Sequence, residues 1–162
     1  MKRIISGVLA LGVCLTPLTV PLMVRPSWGQ SENLQEELQR LLELGLQQTQ
    51  QRQQLQAIAT LQQVLAIARQ LRDREMEATA LLLIGSNYDN IGRKQEALDY
   101  YNQALAIFQE VNNRAEAITL NNIGAVYQAI GQPLKALEYY YLALPIIRQV
   151  NDRSAEMVTL NN

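Results

Sequence analysis

Ile84-Gly85-Ser86-Asn87-Tyr88 returns 39 residues later as Ile123-Gly124-Ala125-Val126-Tyr127. A loop glycine follows each Ile-Gly pair at a spacing of seven, at Gly92 and Gly131. The register persists downstream, where Ala97, Tyr101, Ala104 and Leu105 match Ala136, Tyr140, Ala143 and Leu144, again 39 apart. Ahead of the units stand Asp73-Arg74, Asn113-Arg114 and Asp152-Arg153, spaced 40 and then 39. A period near 40 with two helix-length segments per unit is the mark of a helical repeat array, because one hairpin cannot bury its apolar face without a neighbour. The chain is therefore expected to be all-α, a solenoid of antiparallel helical hairpins.

Each position in the unit has a physical reason. Met76 to Ile91 and Ala115 to Ile130 carry apolar residues at helical spacing, with Gly85 or Gly124 in mid-helix. A mid-helix glycine costs about 1 kcal/mol against alanine, so it belongs where a second helix approaches closely. Ala97 and Ala136 are the small residues expected to meet it. Gly92 and Gly131 suit the left-handed residue that closes a helix, and Pro133 fits the first turn of the next one. The second helices, Lys94 to Val111 and Pro133 to Val150, place Ala97, Tyr101, Ala104, Leu105, Phe108 and their counterparts on one stripe. Pro145, where the twin helix has Ala106, removes the bond to the Tyr141 carbonyl and is expected to kink the last turns. The glutamine-rich stretch from Gln47 to Gln63 keeps Leu55, Ile58, Leu61 and Leu65 at helical spacing, so it reads as a solvated helix face.

Lys2 and Arg3 precede an apolar run from Ile4 to Val24, and Ser27-Trp28-Gly29 places small residues ahead of Gln30. This is the layout of a signal peptide over residues 1–29, with export to the periplasm or outside after cleavage near Gly29. An uncleaved N-terminal membrane anchor is the alternative. The composition excludes several classes of chemistry. The only cysteine is Cys14 and there is no histidine, which removes a disulfide framework, a zinc site and Cys/His or Ser/His catalysis. Three of the 14 bases (Lys2, Arg3, Arg25) precede residue 30 and all 15 acids follow it, so the repeat region is net acidic and unlike a nucleic-acid binder. The carboxylates are scattered and the glycines form no phosphate-binding loop. No enzyme activity, cofactor or metal is expected.

Small residues at Gly85, Ala97 and Ala104, with Tyr88 and Tyr101 between them, resemble the tetratricopeptide consensus. The longer period and the segment Thr119-Leu120-Asn121-Asn122-Ile123-Gly124 resemble its roughly 40-residue variety, found in kinesin light chains and in many cyanobacterial proteins. The resemblance implies a right-handed superhelix whose first helices line a concave groove for a peptide or partner helix. The unit boundaries are then 30–73 for a degenerate capping hairpin, 74–112 and 113–151 for two full repeats, and 152–162 for the start of a truncated further repeat. In the first hairpin Gln48 and Arg52 stand in place of the tyrosine and the loop glycine.

The positions that face the groove in this family fall at Thr79, Leu82, Leu83, Ser86, Asp89 and Asn90, then at Ile118, Asn121, Asn122, Ala125, Gln128 and Ala129. Of these, Thr79, Leu82, Ser86, Asp89, Asn90, Asn121, Asn122, Ala125 and Gln128 are the candidate partner contacts. A side-chain amide offers donor and acceptor together and suits the backbone of an extended peptide. Adjacent positions cannot both point inward, so one of Asn121 and Asn122 is expected to serve the neighbouring repeat. The tyrosines are expected in repeat packing, with Tyr100 and Tyr139 the most exposed. Ser154 to Asn162 repeats the opening of a first helix and stops where Ile-Gly should follow, leaving Met157, Val158 and Leu160 unpaired. The expected function is a protein-interaction scaffold. Two other readings are the amino-terminal arm of a larger secreted protein with a CHAT-type peptidase domain, and an array that self-associates through the terminal half-hairpin.

Overall fold

A computed structural model describes residues 27–111, 115–149 and 152–162. Among these residues seven helices follow one another: α1 (Ser27–Gln50), α2 (Gln54–Leu71), α3 (Arg74–Asn90), α4 (Lys94–Glu110), α5 (Ala115–Ala129), α6 (Pro133–Gln149) and α7 (Arg153–Asn161). They contain no strand. Helix packs on sequential helix along the chain, α1 on α2 through α6 on α7, as an α-solenoid requires. Residues 1–26 of the expected signal segment, Cys14 among them, and the Asn113-Arg114 turn lie outside the described residues. No helix among the described residues is long and apolar enough to cross a membrane.

Local chemistry sets the helix ends. Asp73 accepts from Met76 N (2.9 Å) and Asp152 from Ala155 N (3.0 Å), so both of these turn aspartates are N-caps. At the tip of each hairpin the last turn closes on paired bonds, Arg93 N to Tyr88 O and Gly92 N to Asp89 O in one unit, Gln132 N to Tyr127 O and Gly131 N to Gln128 O in the next. Gly92 and Gly131 have φ of +79° and +78°, the left-handed conformation expected of them. The first hairpin makes the same closure, Gln53 N to Gln48 O, with Arg52 at φ 59°. A side chain there costs about 1–2 kcal/mol that glycine avoids. That hairpin is degenerate in sequence but not in geometry.

The core runs between successive helices and joins Leu61, Val64, Ala78, Leu81, Ile84 and Phe108 in one cluster, and Ala97, Tyr101, Ile123 and Val126 in the next. The close approach at the mid-helix glycines differs from expectation. A Cβ on Gly85 would stand 2.7 Å from the Tyr101 ring and 3.3 Å from the Ala97 carbonyl, and one on Gly124 would stand 2.5 Å from the Tyr140 ring. The glycines make room for a tyrosine ring 16 residues on rather than for an alanine methyl. In the first hairpin Gly45 meets Leu61 at the same offset.

Helix α6 continues past Pro145, which lies on its exposed face, to Gln149. One further expectation changes. Leu55 projects into solvent instead of joining Ile58, Leu61 and Leu65, because a turn at Gln51–Gln53 restarts the helix just ahead of it.

Candidate partner-binding face

The first helices α1, α3 and α5 present one stripe in register. On α5 it runs Ile118, Asn122, Ala125 and Ala129, at the helical spacing of four, three and four. The same rows are Thr79, Leu83, Ser86 and Asn90 on α3, and Gln39, Glu43, Leu46 and Gln50 on α1. Ile118, Ala125 and Ala129 are exposed and Asn122 is half-buried, so α5 offers a shallow surface of small side chains around a single amide.

Several of the nine candidates already have partners. Asn121 donates from Nδ2 to Thr159 Oγ1 on α7 at 2.8 Å, while its buried Oδ1 has no partner among the described residues. It is the member of the Asn pair that serves the neighbouring repeat. Gln128 Oε1 accepts from the Tyr140 hydroxyl at 3.0 Å. Asp89 forms an ion pair with Lys94. Ser86 hydrogen-bonds to the Tyr101 phenol, whose pKa is pushed well up by burial, with the Asp89 charge adding to the effect and Ser86 opposing it. Thr79 Oγ1 donates to the Glu75 carbonyl at 2.9 Å. Leu82 is half-buried between two core clusters. Asn90, Asn122 and Ala125 remain as the candidates directed to solvent rather than spent on the fold.

Sequence reading missed a second set of polar contacts. Asn87 is fully buried on α3, and its Nδ2 donates to Thr49 Oγ1 on α1 (3.0 Å) and to the Leu83 carbonyl (2.9 Å). Both this bond and Asn121–Thr159 join first helices of neighbouring units across 38 residues, the only signal being their matched spacing. Tyr100 and Tyr139 were expected to be exposed, but they stack on Tyr88 and Tyr127 with ring centroids 5.3 and 5.4 Å apart. Gln48 and Thr60 occupy the same two positions in the first hairpin, where a hydrogen bond of 2.8 Å replaces the stack. The exposed tyrosine is Tyr141. Glu77 on α3 is a buried carboxylate. Burial pushes its pKa up, but hydrogen bonds from Arg69 Nε (2.8 Å) and from Arg74 (2.6 Å) outweigh this and hold it below the ordinary glutamate value. No group of three or more His, Cys, Asp or Glu among the described residues could hold a metal ion.

Sequence profiles of the tetratricopeptide repeat match residues 37–110 and 117–154, together more than half of the chain. Among solved structures, the chain is similar to the TPR domain of Arabidopsis FLU, with 24% identity over 74% of this chain and 99% of that one, at a TM-score of 0.67. It is similar to a Rap protein solved in complex with Competence and Sporulation Factor, with 25% identity over 73% of this chain and 33% of that one, at a TM-score of 0.69. A Podosopora anserina protein of kinesin-light-chain type with nearly identical TPR-like repeats aligns over 75% of this chain and 61% of its own, at 22% identity and a TM-score of 0.63. No curated protein sequence matches the chain.

Proposed function

The chain belongs to the tetratricopeptide-repeat family, and from that premise we propose that it is a protein-interaction scaffold receiving a peptide or partner helix along the stripe of α1, α3 and α5. The observation that carries this reading is the face of α5. Ile118, Asn122, Ala125 and Ala129 form an accessible run in which small side chains let a backbone approach and one amide can both donate to it and accept from it. That a Rap protein of similar fold was solved in complex with Competence and Sporulation Factor supports partner binding by such a fold. The stripe has one carboxylate row at Glu43 and little other free charge, so its ligand is a neutral or weakly basic segment.

The test is binding of peptides selected from a displayed library against the full chain. Asn122→Ala and Ala125→Glu should each weaken capture about tenfold while leaving urea unfolding unchanged. Unchanged capture in both variants refutes the assignment. Gln128 is unsuited to this test, because its loss strands the buried Tyr140 hydroxyl.

The N-terminal segment supports export, with cleavage near Gly29. Sequencing of the mature protein should begin at Gln30, and an intact Met1 supports the membrane-anchored form instead. A role as the arm of a larger CHAT-type protein stays a proposal resting on resemblance alone. For self-association through α7, the supporting observation is the exposure of Met157 and Leu160.

A further inference from the structure

The outward face of α6 differs from that of the other second helices in a way that repeat packing does not require. At register-equivalent positions α4 carries Gln95, Asn102, Gln103 and Ala106, all exposed although α5 follows it in the stack. On α6 the same positions carry Leu134, Tyr141, Leu142 and Pro145, with the first three 77%, 70% and 57% exposed. On α2 the counterparts of Leu134, Tyr141 and Leu142 are Leu55, Gln62 and Gln63, all exposed, so it is Tyr141, Leu142 and Pro145 that set the α6 face apart. Leu134, Tyr141 and Pro145 are seven and eleven residues apart, about two and three turns, so they form one ridge roughly 16 Å long. An adjoining helix in the stack leaves these positions open on α4. The ridge therefore lies apart from both the binding stripe and the repeat interface.

The polar groups inside the ridge identify what covers it. Glu138 lies between Leu134 and Tyr141. Its α4 counterpart Asp99 accepts from Gln95 at 3.2 Å, but Leu134 replaces that donor on α6. Lys135, the near cation, is turned over the Tyr127 ring, 5.3 Å from its centroid. The ridge thus holds one carboxylate left without its helical donor and, three residues on, one exposed phenol. We propose that a second copy of this chain docks on this face, α6 against α6 in antiparallel two-fold register. In that register Glu138 of each copy meets Tyr141 of the other, and Leu134 meets Pro145. A two-fold interface needs such self-complementarity, since each contact occurs twice with the roles exchanged. The phenol donates to the carboxylate, a charge-assisted bond made in duplicate. The register also sets Leu and Pro surfaces against each other and removes the one sizeable apolar patch on an otherwise polar helix face.

Sedimentation equilibrium of the full chain over three decades of concentration tests this. The wild type should show a reversible monomer–dimer equilibrium. The triple variant Leu134→Gln, Tyr141→Asn, Leu142→Gln installs the residues that α4 already carries at these positions in a folded helix. It should associate about tenfold more weakly or worse, with unchanged helical circular dichroism. Tyr141→Phe, which keeps the ring and removes only the donor, should weaken association several-fold. A wild type that stays monomeric throughout overturns the proposal, as it would if the face serves a different protein. Association that survives the triple variant places the contact elsewhere and also overturns it, and full affinity in Tyr141→Phe overturns the register. Loss of peptide capture on the α5 stripe leaves all three outcomes unaffected.

Discussion

Adding one methyl at Gly124 should expose how tightly the hairpins close. A Cβ there would stand 2.5, 2.8 and 3.0 Å from three atoms of the Tyr140 ring, where ordinary contact begins at 3.4 Å. The ring must therefore retreat by nearly 1 Å. It is buried, and its hydroxyl is tied to Gln128, so retreat also stretches a hydrogen bond. Overpacking of this kind costs about 1–3 kcal/mol, and alanine returns about 1 kcal/mol of helix propensity. By these two terms Gly124→Ala should lose between about 0 and 2 kcal/mol, and the stretched Tyr140–Gln128 bond moves it toward the upper end. Gly85→Ala should follow closely, because its Cβ would meet the Tyr101 ring at 2.7 Å and the Ala97 carbonyl leaves little room beside it. At Gly45 the contacts are Leu61 Cδ2 at 2.9 Å and Cγ at 3.0 Å, looser than those to the tyrosine rings, so Gly45→Ala should be the least costly of the three. Urea unfolding followed by circular dichroism ranks the three. In a double-mutant cycle Tyr101→Leu should cost less in the Gly85→Ala background than alone, since the pair then resembles Gly45 and Leu61. Gly124→Ala at or above wild-type stability refutes the argument, as does Gly45→Ala being the most damaging of the three.

Asn87→Ala should lose about 1–3 kcal/mol, because it removes two bonds at a fully buried site. Asn121→Ala should lose less, since it breaks one bond but also deletes an unpaired buried acceptor; equal losses in urea unfolding contradict this. Gln128→Ala should lower stability by about 1 kcal/mol by stranding the Tyr140 hydroxyl, seen as an earlier urea midpoint. Glu77 titrates below the ordinary glutamate value, so the stability it adds is present above that value and lost as pH falls through its depressed folded pKa. Glu77→Gln should accordingly be destabilising at neutral pH, and the gap to wild type should close in acid. Tyr101 is shifted upward, so its contribution is full below the ordinary tyrosine range and fades as pH rises beyond it. Absorbance titration should show its phenol among the last to ionise.

The repeat period, the helix pairs and the loop glycines were legible in the chain because each rests on local rules. Helical spacing and left-handed φ need no knowledge of what lies across the core. The family resemblance rested on the same signals, and the profile matches at residues 37–110 and 117–154 agree with it. Contacts across helices were another matter. That Gly85 answers first to the Tyr101 ring and only then to the Ala97 carbonyl, that Tyr139 is stacked while Tyr141 stands free, and that Asn121 rather than Asn122 ties one repeat to the next all depend on relative rotation of packed helices. Neighbouring positions on a helix differ by about 100°, so a small rotation exchanges a core residue for a surface one, and no local pattern specifies it. The candidate stripe divides the same way. Its register along α3 and α5 follows from the period, but which of its polar groups are free for a partner was decided by the bonds that folding had already made.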